Sequence, residues 1–366
     1  MLFRSQFDID YAKQVTKLAD YSGVAITVSN DYEINDTAKQ TYLTNVLQSY
    51  GADAYKQVTD RDTVADGDYV KVDYTGYKDG KAFDGGSATD VMLDVTNNSQ
   101  VGGSSFIDGF TKPIIGAKVG DKVKGDVTFP EDYGNDDLNG QTVTFEYTVK
   151  GIYSADPVAL ADMTDEQVNT VFGKAGVTTN AQLTTQIEKD LKQQLYSAEV
   201  DKIKSYMIDN STVEIPDEYL QARLNEYIAS FTKENVKDGQ TLKKYLKSNY
   251  NMTVDQATEK WKENLTDQIK TEFIFGLIAE KENIKMDDDA FNSYVDYIVS
   301  ASNGQFSKAS EVYKYFGSGH KDEGKTYLKN QYLVNKAIDT VTEKANVTFE
   351  DGSAAPDTSS SSADAE

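Results

Sequence analysis

The stretch VKVDYTGYKDGKAFDGG, residues 70–86, alternates Val70, Val72 and Tyr74 with Lys71, Asp73 and Thr75. That is the period of a strand with one buried face. Asp79-Gly80 is a tight-turn dipeptide, so the stretch predicts a β-hairpin carrying Tyr74, Phe83 and Asp84. Further along, QTVTFEYTVKG (141–151) sets Val143, Phe145, Tyr147 and Val149 against Thr142, Thr144, Glu146 and Thr148. Glycines and turn signals recur between these two stretches. Residues 61–155 therefore predict a compact antiparallel β-sheet domain.

From Pro157 onward the pattern turns helical. Thr164 with Gln167, Thr179 with Gln182, and Thr253 with Gln256 stand at capping-box spacing. Ile187, Leu191 and Leu195, then Tyr196, Val200, Ile203 and Met207, trace a long apolar stripe, and Pro216 fits the first turn of a further helix. Residues 156–349 predict an elongated α-helical domain. Residues 1–60 read as a linker segment: one short strand at 23–28, and one helix with Tyr42, Leu43, Val46, Leu47 and Tyr50 on a side. The polar stretch 350–366 predicts a disordered tail. The fold class is multidomain α+β.

A chain of 366 residues exceeds one ordinary core. Lys+Arg 37 against Asp+Glu 60 gives a net charge of -23, a field that repels phosphate backbones and counts against nucleic acid as a partner. Arg4, Arg61 and Arg223 are the sole arginines, which removes most bidentate phosphate recognition. Without cysteine there is no disulfide or thiolate chemistry. The opening MLFRSQFDIDYAKQ has no long apolar run, so it reads as neither signal peptide nor membrane anchor. A processed chain would begin the same way, and an upstream export signal stays open.

The usual catalytic sets fail on their residues. His320 is the single histidine and sits in the polar loop GSGHKDEG without a nucleophile motif. Asp287, Asp288 and Asp289 read as acidic first-turn residues of a helix, not as a calcium loop. GGSATD and VGGSSF carry glycines but no Walker lysine or dinucleotide spacing. Neither a metal nor any other cofactor is called for. What remains is the set of rings in the sheet domain.

Here the sequence resembles a known family. VDYTGYKDGKAFDGG, SSFIDGFTKPIIGAKVGDK and TFPEDYG are similar to the core of FKBP-type peptidyl-prolyl isomerases, the last in the form found in trigger factor. VTDRDTVADGDYVKVDYTG resembles the trigger-factor lead-in to that domain, and VEIPDEYLQARLNEYI, AEKENIKMDDDAF and VTEKANVTFE resemble its helical chaperone domain. The likeness runs from about residue 15 to about residue 350 in the same domain order. The family's ribosome-docking loop, Gly-Phe-Arg-x-Gly-Lys, does not occur in these residues, and together with the acidity this weighs against ribosome binding.

The resemblance implies a prolyl isomerase joined to a folding chaperone. By motif, Tyr74 and Phe83 would be pocket walls and Asp84 the carboxylate that orients the bound carbonyl. Phe106 and Ile107 would contact the proline, with the Ile107 N–H a donor to the client. Phe110 would form the floor, Phe145 would close the pocket from the last strand, Tyr133 would offer its hydroxyl, and Met92 would complete the wall. Taken singly, Tyr74 and Phe145 read equally as core, and Asp84 as a solvated turn residue. The partners implied are unfolded or nascent polypeptides containing X-Pro bonds, held by the aromatic-rich helices of YIASF, FIFGLI, YVDYIV and VYKYF. A non-enzymatic holdase with a weak or inactive isomerase domain stays open, as does a surface scaffold. The family default is cytoplasmic; acidity, lack of cysteine and the Ser-rich tail also fit a processed extracytoplasmic bacterial protein.

Overall fold

The computed structural model describes residues 9–49, 55–237, 239–317 and 319–358, so Tyr50 and residues 359–366 lie outside the described residues. The chain forms two compact units, one of residues 34–191 and one that joins Met1–Glu33 to Lys192–Glu366. These cuts differ from the composition boundaries at 60 and 155. The physical reason is pairing between segments far apart in sequence, described below.

The N-terminal segment contributes α1 (Tyr11–Gln14), β1 (Val15–Lys17) and β2 (Ala25–Val28) to the helical unit. The sheet unit then opens with α2 (Asp36–Leu47), whose N-cap Asn35 accepts from the Ala38 N–H at 2.9 Å. It continues through β3 (Tyr55–Gln57), β4 (Tyr69–Lys78), β5 (Lys81–Asp94), β6 (Ser99–Gln100), β7 (Lys122–Thr128) and β8 (Thr142–Pro157). The sheet order is β3-β8-β4-β5-β6, with β7 also on β8, and every pairing is antiparallel. Lys78 pairs with Lys81 across Asp79-Gly80, whose φ angles of 52° and 75° are those of the two-residue turn read from the sequence.

The two faces of this sheet carry separate cores. One gathers Val70, Val72, Leu93, Phe110, Ile114, Phe129, Val143, Phe145, Tyr147 and Val149. The other packs Met92, Val101 and Tyr55 against Leu43 and Leu47 of α2, Val168 and Phe172 of α3 (Asp165–Phe172), and Leu183 and Ile187 at the start of α4 (Asn180–Asn210). Thr164 and Gln167 form a reciprocal capping box at the start of α3, as the spacing predicts.

The helical unit adds β9 (Thr212–Val213), α5 (Asp217–Asn235), α6 (Leu242–Tyr250), α7 (Val254–Lys281), α8 (Asp288–Ala301), α9 (Ala309–Phe316), α10 (Lys321–Glu343) and β10 (Asn346–Phe349). Its core centres on α7, where Ile269, Phe273, Ile274, Phe275, Leu277 and Ile278 are buried with Ile203, Met207, Val334 and Ala337. Gly276 has to be glycine, because a β carbon there would meet the Tyr11 ring at 2.5 Å. β10 pairs in parallel with β2, and β9 pairs with β1, so residues 9–33 are part of this core, not a linker. Asp287 caps α8 through the Ala290 N–H at 2.7 Å, the role its acidic run suggests. Arg223 and Glu272 join α5 to α7 by two parallel bonds of 2.9 and 3.0 Å. Burial works against that guanidinium's charge, and the Glu272 carboxylate overrides it, holding Arg223 above its ordinary value.

The end of the described chain is not free. The Thr348–Ala354 bridge folds it back, and Thr358 is buried with its hydroxyl 2.6 Å from Glu199 Oε2. The expectation of disorder is corrected for residues 350–358, since this contact satisfies a buried carboxylate. Among the described residues no helix is long and apolar enough to cross a membrane.

Candidate functional site

The hairpin of β4 and β5 is irregular at two places, opposite Asp73 and, more strongly, opposite Gly76. Thr75 pairs with Ser87 and Tyr77 with Ala82, so Gly76 alone faces the four residues 83–86. This bulge turns the Phe83 side chain onto the sheet. A β carbon at Gly76 would lie 2.6 Å from the Phe83 ring and 2.7 Å from the Phe145 ring; one at Gly86 would lie 2.5 Å from the Phe83 ring. Both glycines are therefore required by close approach. Asp84, next in the bulge, is exposed and forms no ion pair among the described residues.

Five rings meet on this face. Phe110 stacks on Phe106 at 4.2 Å between centroids and meets Phe145 edge-on at 4.8 Å and Tyr74 at 5.0 Å. Phe145 reaches Phe83 at 5.9 Å. Such separations are favourable edge and offset contacts between aromatic rings. Phe110 and Phe145 form the base at 2% and 4% exposure, whereas Tyr74, Phe83, Phe106 and Ile107 are half-buried. Below the base, Tyr147 is buried and donates its hydroxyl to the Phe110 carbonyl at 2.6 Å, which anchors the Phe110 backbone. Burial raises the Tyr147 hydroxyl well above its ordinary pKa, so it stays a donor.

A second row continues from Phe83 through Phe129, at 6.2 Å, to Tyr133, at 4.5 Å from Phe129. Tyr133 is 47% exposed. Its loop is tied to β4 by the Lys78 amine, which donates to the Asp137 carbonyl. Burial raises the Tyr74 hydroxyl pKa, and the nearby Tyr133 adds to the shift.

The loop between β6 and β7 delivers Phe106 and Ile107. Gly109, at φ 82°, makes its tight turn, closed by the Phe110 N–H on the Ile107 carbonyl at 3.2 Å. Asn98 spans the loop from inside. Its Nδ2 donates to the carbonyls of Phe106 (3.2 Å) and Ile107 (2.9 Å), and its Oδ1 accepts from the Thr111 N–H at 3.0 Å. The Ile107 N–H makes no hydrogen bond among the described residues.

Tyr74, Phe83, Phe106, Ile107, Phe110 and Phe145 thus come together, with Asp84 and Tyr133 exposed on the same hairpin and ring row. Met92 does not. It is buried in the opposite core, among Leu43, Leu47 and Tyr55, while its neighbours Val91 and Leu93 face the rings. Successive strand residues point to opposite faces, and Met92, an odd number of residues from Phe83, Val91 and Leu93, falls on the face away from the rings. Sequence reasoning missed Phe129, Gly86, Asn98 and Thr111. The one signal for Asn98 was its residue type, since asparagine tolerates the positive φ of 50° found there.

Residues 61–150 match the family described as FKBP-type peptidyl-prolyl cis-trans isomerase, and residues 178–343 match the bacterial trigger factor protein C-terminus. The chain is a trigger-factor-like protein. It is 28% identical over 328 residues to the trigger factor of Agathobacter rectalis, covering 88% of this chain and 69% of that one. To the trigger factor of Clostridium botulinum (strain Eklund 17B) it is 28% identical over 276 residues, 75% of this chain and 62% of the relative. A solved trigger factor chaperone structure aligns at a TM-score of 0.45 and 17% identity, covering 89% of this chain and 72% of its own. In this trigger-factor-like chain the isomerase-type match falls on the ring-bearing sheet and the C-terminal match on the helices.

Proposed function

We propose that the protein is a peptidyl-prolyl cis-trans isomerase and folding chaperone for unfolded or nascent polypeptides, acting on X-Pro bonds in the cleft of Tyr74, Phe83, Phe106, Phe110 and Phe145. The observation that carries the reading is the pairing of this half-buried ring cluster with an unbonded backbone donor, the Ile107 N–H.

Rotation about an X-Pro bond needs no nucleophile. The obstacle is the double-bond character of the amide, a barrier of about 18–20 kcal/mol. The planar amide is more dipolar than the twisted one, because twisting uncouples the nitrogen lone pair from the carbonyl. Water solvates the planar dipole and so favours it. A ring-lined cleft withdraws that solvation, and each ~1.4 kcal/mol of preference for the twisted form is about tenfold in rate. In this reading Phe83 and Phe145 enclose the proline, the Ile107 N–H and the Tyr133 hydroxyl hold client carbonyls, and Asp84 orients the carbonyl before proline.

In the helical unit, a groove of about 750 Å³ is lined by Tyr227, Ser230, Leu265, Tyr315, Phe316 and Tyr327 among others. Tyr227 and Tyr315 are exposed there. Rings with polar tips on an open groove suit promiscuous contact with unfolded chain, and we assign client holding to this face.

One observation favours the second reading, a holdase with weak isomerase activity: Phe106 stacks directly over Phe110, so the base ring is covered until Phe106 moves. Exchange NMR on a short X-Pro peptide separates the two. Catalytic amounts of the full chain that accelerate cis-trans exchange support the isomerase; unchanged exchange with retained binding of an unfolded protein supports the holdase.

A further inference from the structure

We propose that Asn98 is a positioning residue that aims the Ile107 N–H at the client, an inference that rests on the isomerase reading above. The argument is geometric. In a planar trans peptide the N–H of Ile107 is antiparallel to the C=O of Phe106. Asn98 Nδ2 holds that carbonyl at 3.2 Å, so the Ile107 N–H is directed away from Asn98. Asn98 Nδ2 also holds the Ile107 carbonyl at 2.9 Å, and both peptide planes flanking Ile107 are thereby fixed by one side chain.

The carboxamide is itself anchored. Its Oδ1 lies 3.0 Å from the Thr111 nitrogen and 3.2 Å from the Thr111 hydroxyl, which also reaches the Val95 carbonyl at 3.0 Å in a buried setting. Thr111 is buried, so the clamp is rooted in the sheet unit's core. The Asn98 carbonyl takes the Phe106 N–H at 2.9 Å, closing the loop on itself. Within the segment so closed, the Gln100 N–H reaches the Ser104 carbonyl at 3.2 Å and the Val101 N–H the Met92 carbonyl at 2.9 Å, so its far end is held on β5 while Asn98 holds the Phe106–Ile107 end. Pre-orienting a donor removes the reorganisation that a loose loop would need when the client arrives.

The test uses the full chain and three variants. Asn98→Gly keeps the positive-φ backbone open and deletes the carboxamide. Asn98→Asp keeps shape and acceptor but removes the donor to both carbonyls. Thr111→Val removes the hydroxyl anchor at constant size. The readouts are kcat/KM for isomerisation of a short X-Pro peptide, thermal unfolding, and the Ile107 amide resonance with and without peptide. We expect Asn98→Gly and Asn98→Asp to lower kcat/KM about tenfold, the scale of one lost oriented hydrogen bond, and Thr111→Val to lower it less. We also expect the peptide-induced downfield shift of the Ile107 amide, present in the wild type, to disappear in both Asn98 variants, a change that a purely structural staple would not produce. Folded Asn98 variants with kcat/KM within twofold of wild type and an intact Ile107 shift overturn the proposal. Should Asn98→Gly not fold, Asn98→Asp and Thr111→Val carry the same comparison. A wild type without activity defeats the isomerase reading itself, and an active wild type unaffected by Phe83→Ala defeats its placement in the ring cleft. A Phe83-dependent wild type indifferent to Asn98 defeats only the positioning role.

Discussion

The Phe83 ring rests on the backbone of Gly76, so closely that a β carbon at residue 76 would sit 2.6 Å from two of its atoms. Gly76 has an ordinary strand conformation, and its side-chain-free surface is what the ring uses. Gly76→Ala is therefore predicted to displace Phe83 and to destabilise the sheet unit by about 1–3 kcal/mol, the usual range for overpacking. The same substitution in a Phe83→Leu background has less to displace. A double-mutant cycle by urea unfolding checks this: a Gly76→Ala effect that is equal in both backgrounds would show that the two residues are not coupled.

The sheet needs the helices on its second face. Met92, Val101 and Tyr55 are buried against α2, α3 and the start of α4, and β3 pairs with β8 at Tyr153 and Pro157. A segment of residues 61–153 would expose Met92 and lose β3, and burial of one side chain of that size is worth about 1.5–3 kcal/mol. Residues 34–191 are predicted to unfold at clearly higher urea concentration than residues 61–153. Equal midpoints would mean that the second core contributes nothing to the sheet.

The buried Glu199 carboxyl gives a pH dependence with a definite sign. Burial raises its pKa above the ordinary 4.5; the Thr358 hydroxyl lowers it in part, and Asp357 raises it further. The folded state thus binds this proton more tightly than the unfolded state, so the stabilisation is complete below the unfolded value and is lost as pH rises through the folded one. Glu199→Gln retains an acceptor for Thr358 without the charge. It is predicted to be more stable than wild type at pH 8, with the gap closing as pH falls towards 4.5. Urea unfolding of both proteins across that range measures the gap, and a constant or widening gap on acidification would contradict the burial argument.

Much of the fold was legible because its signals are local. The alternation from Val143 to Val149, the Asp79-Gly80 turn and the Thr-x-x-Gln capping boxes each need only neighbouring residues, and each is realised in β8, the β4–β5 hairpin and α3. The pairing of Ala25–Val28 with Asn346–Phe349 has no local signal, since two short strands more than three hundred residues apart are joined only by tertiary structure. Residues 1–60 consequently read as a linker. The ring set was legible through its motifs, but Met92 was misplaced because it was assigned by resemblance, whereas alternation along the strand gives the ring face to its neighbours Val91 and Leu93. Asn98 belongs to no motif; its importance lies in which carbonyls its amide reaches.

The most direct test is the refolding of a protein limited by prolyl isomerisation, followed with catalytic amounts of the full chain and of Phe83→Ala. Acceleration by the wild type, reduced about tenfold or more when the ring is removed while the variant remains folded, is the predicted result. Equal acceleration by both proteins would place catalysis outside the ring cleft, and no acceleration by the folded wild type would leave the cleft a site that binds chains without turning their proline bonds.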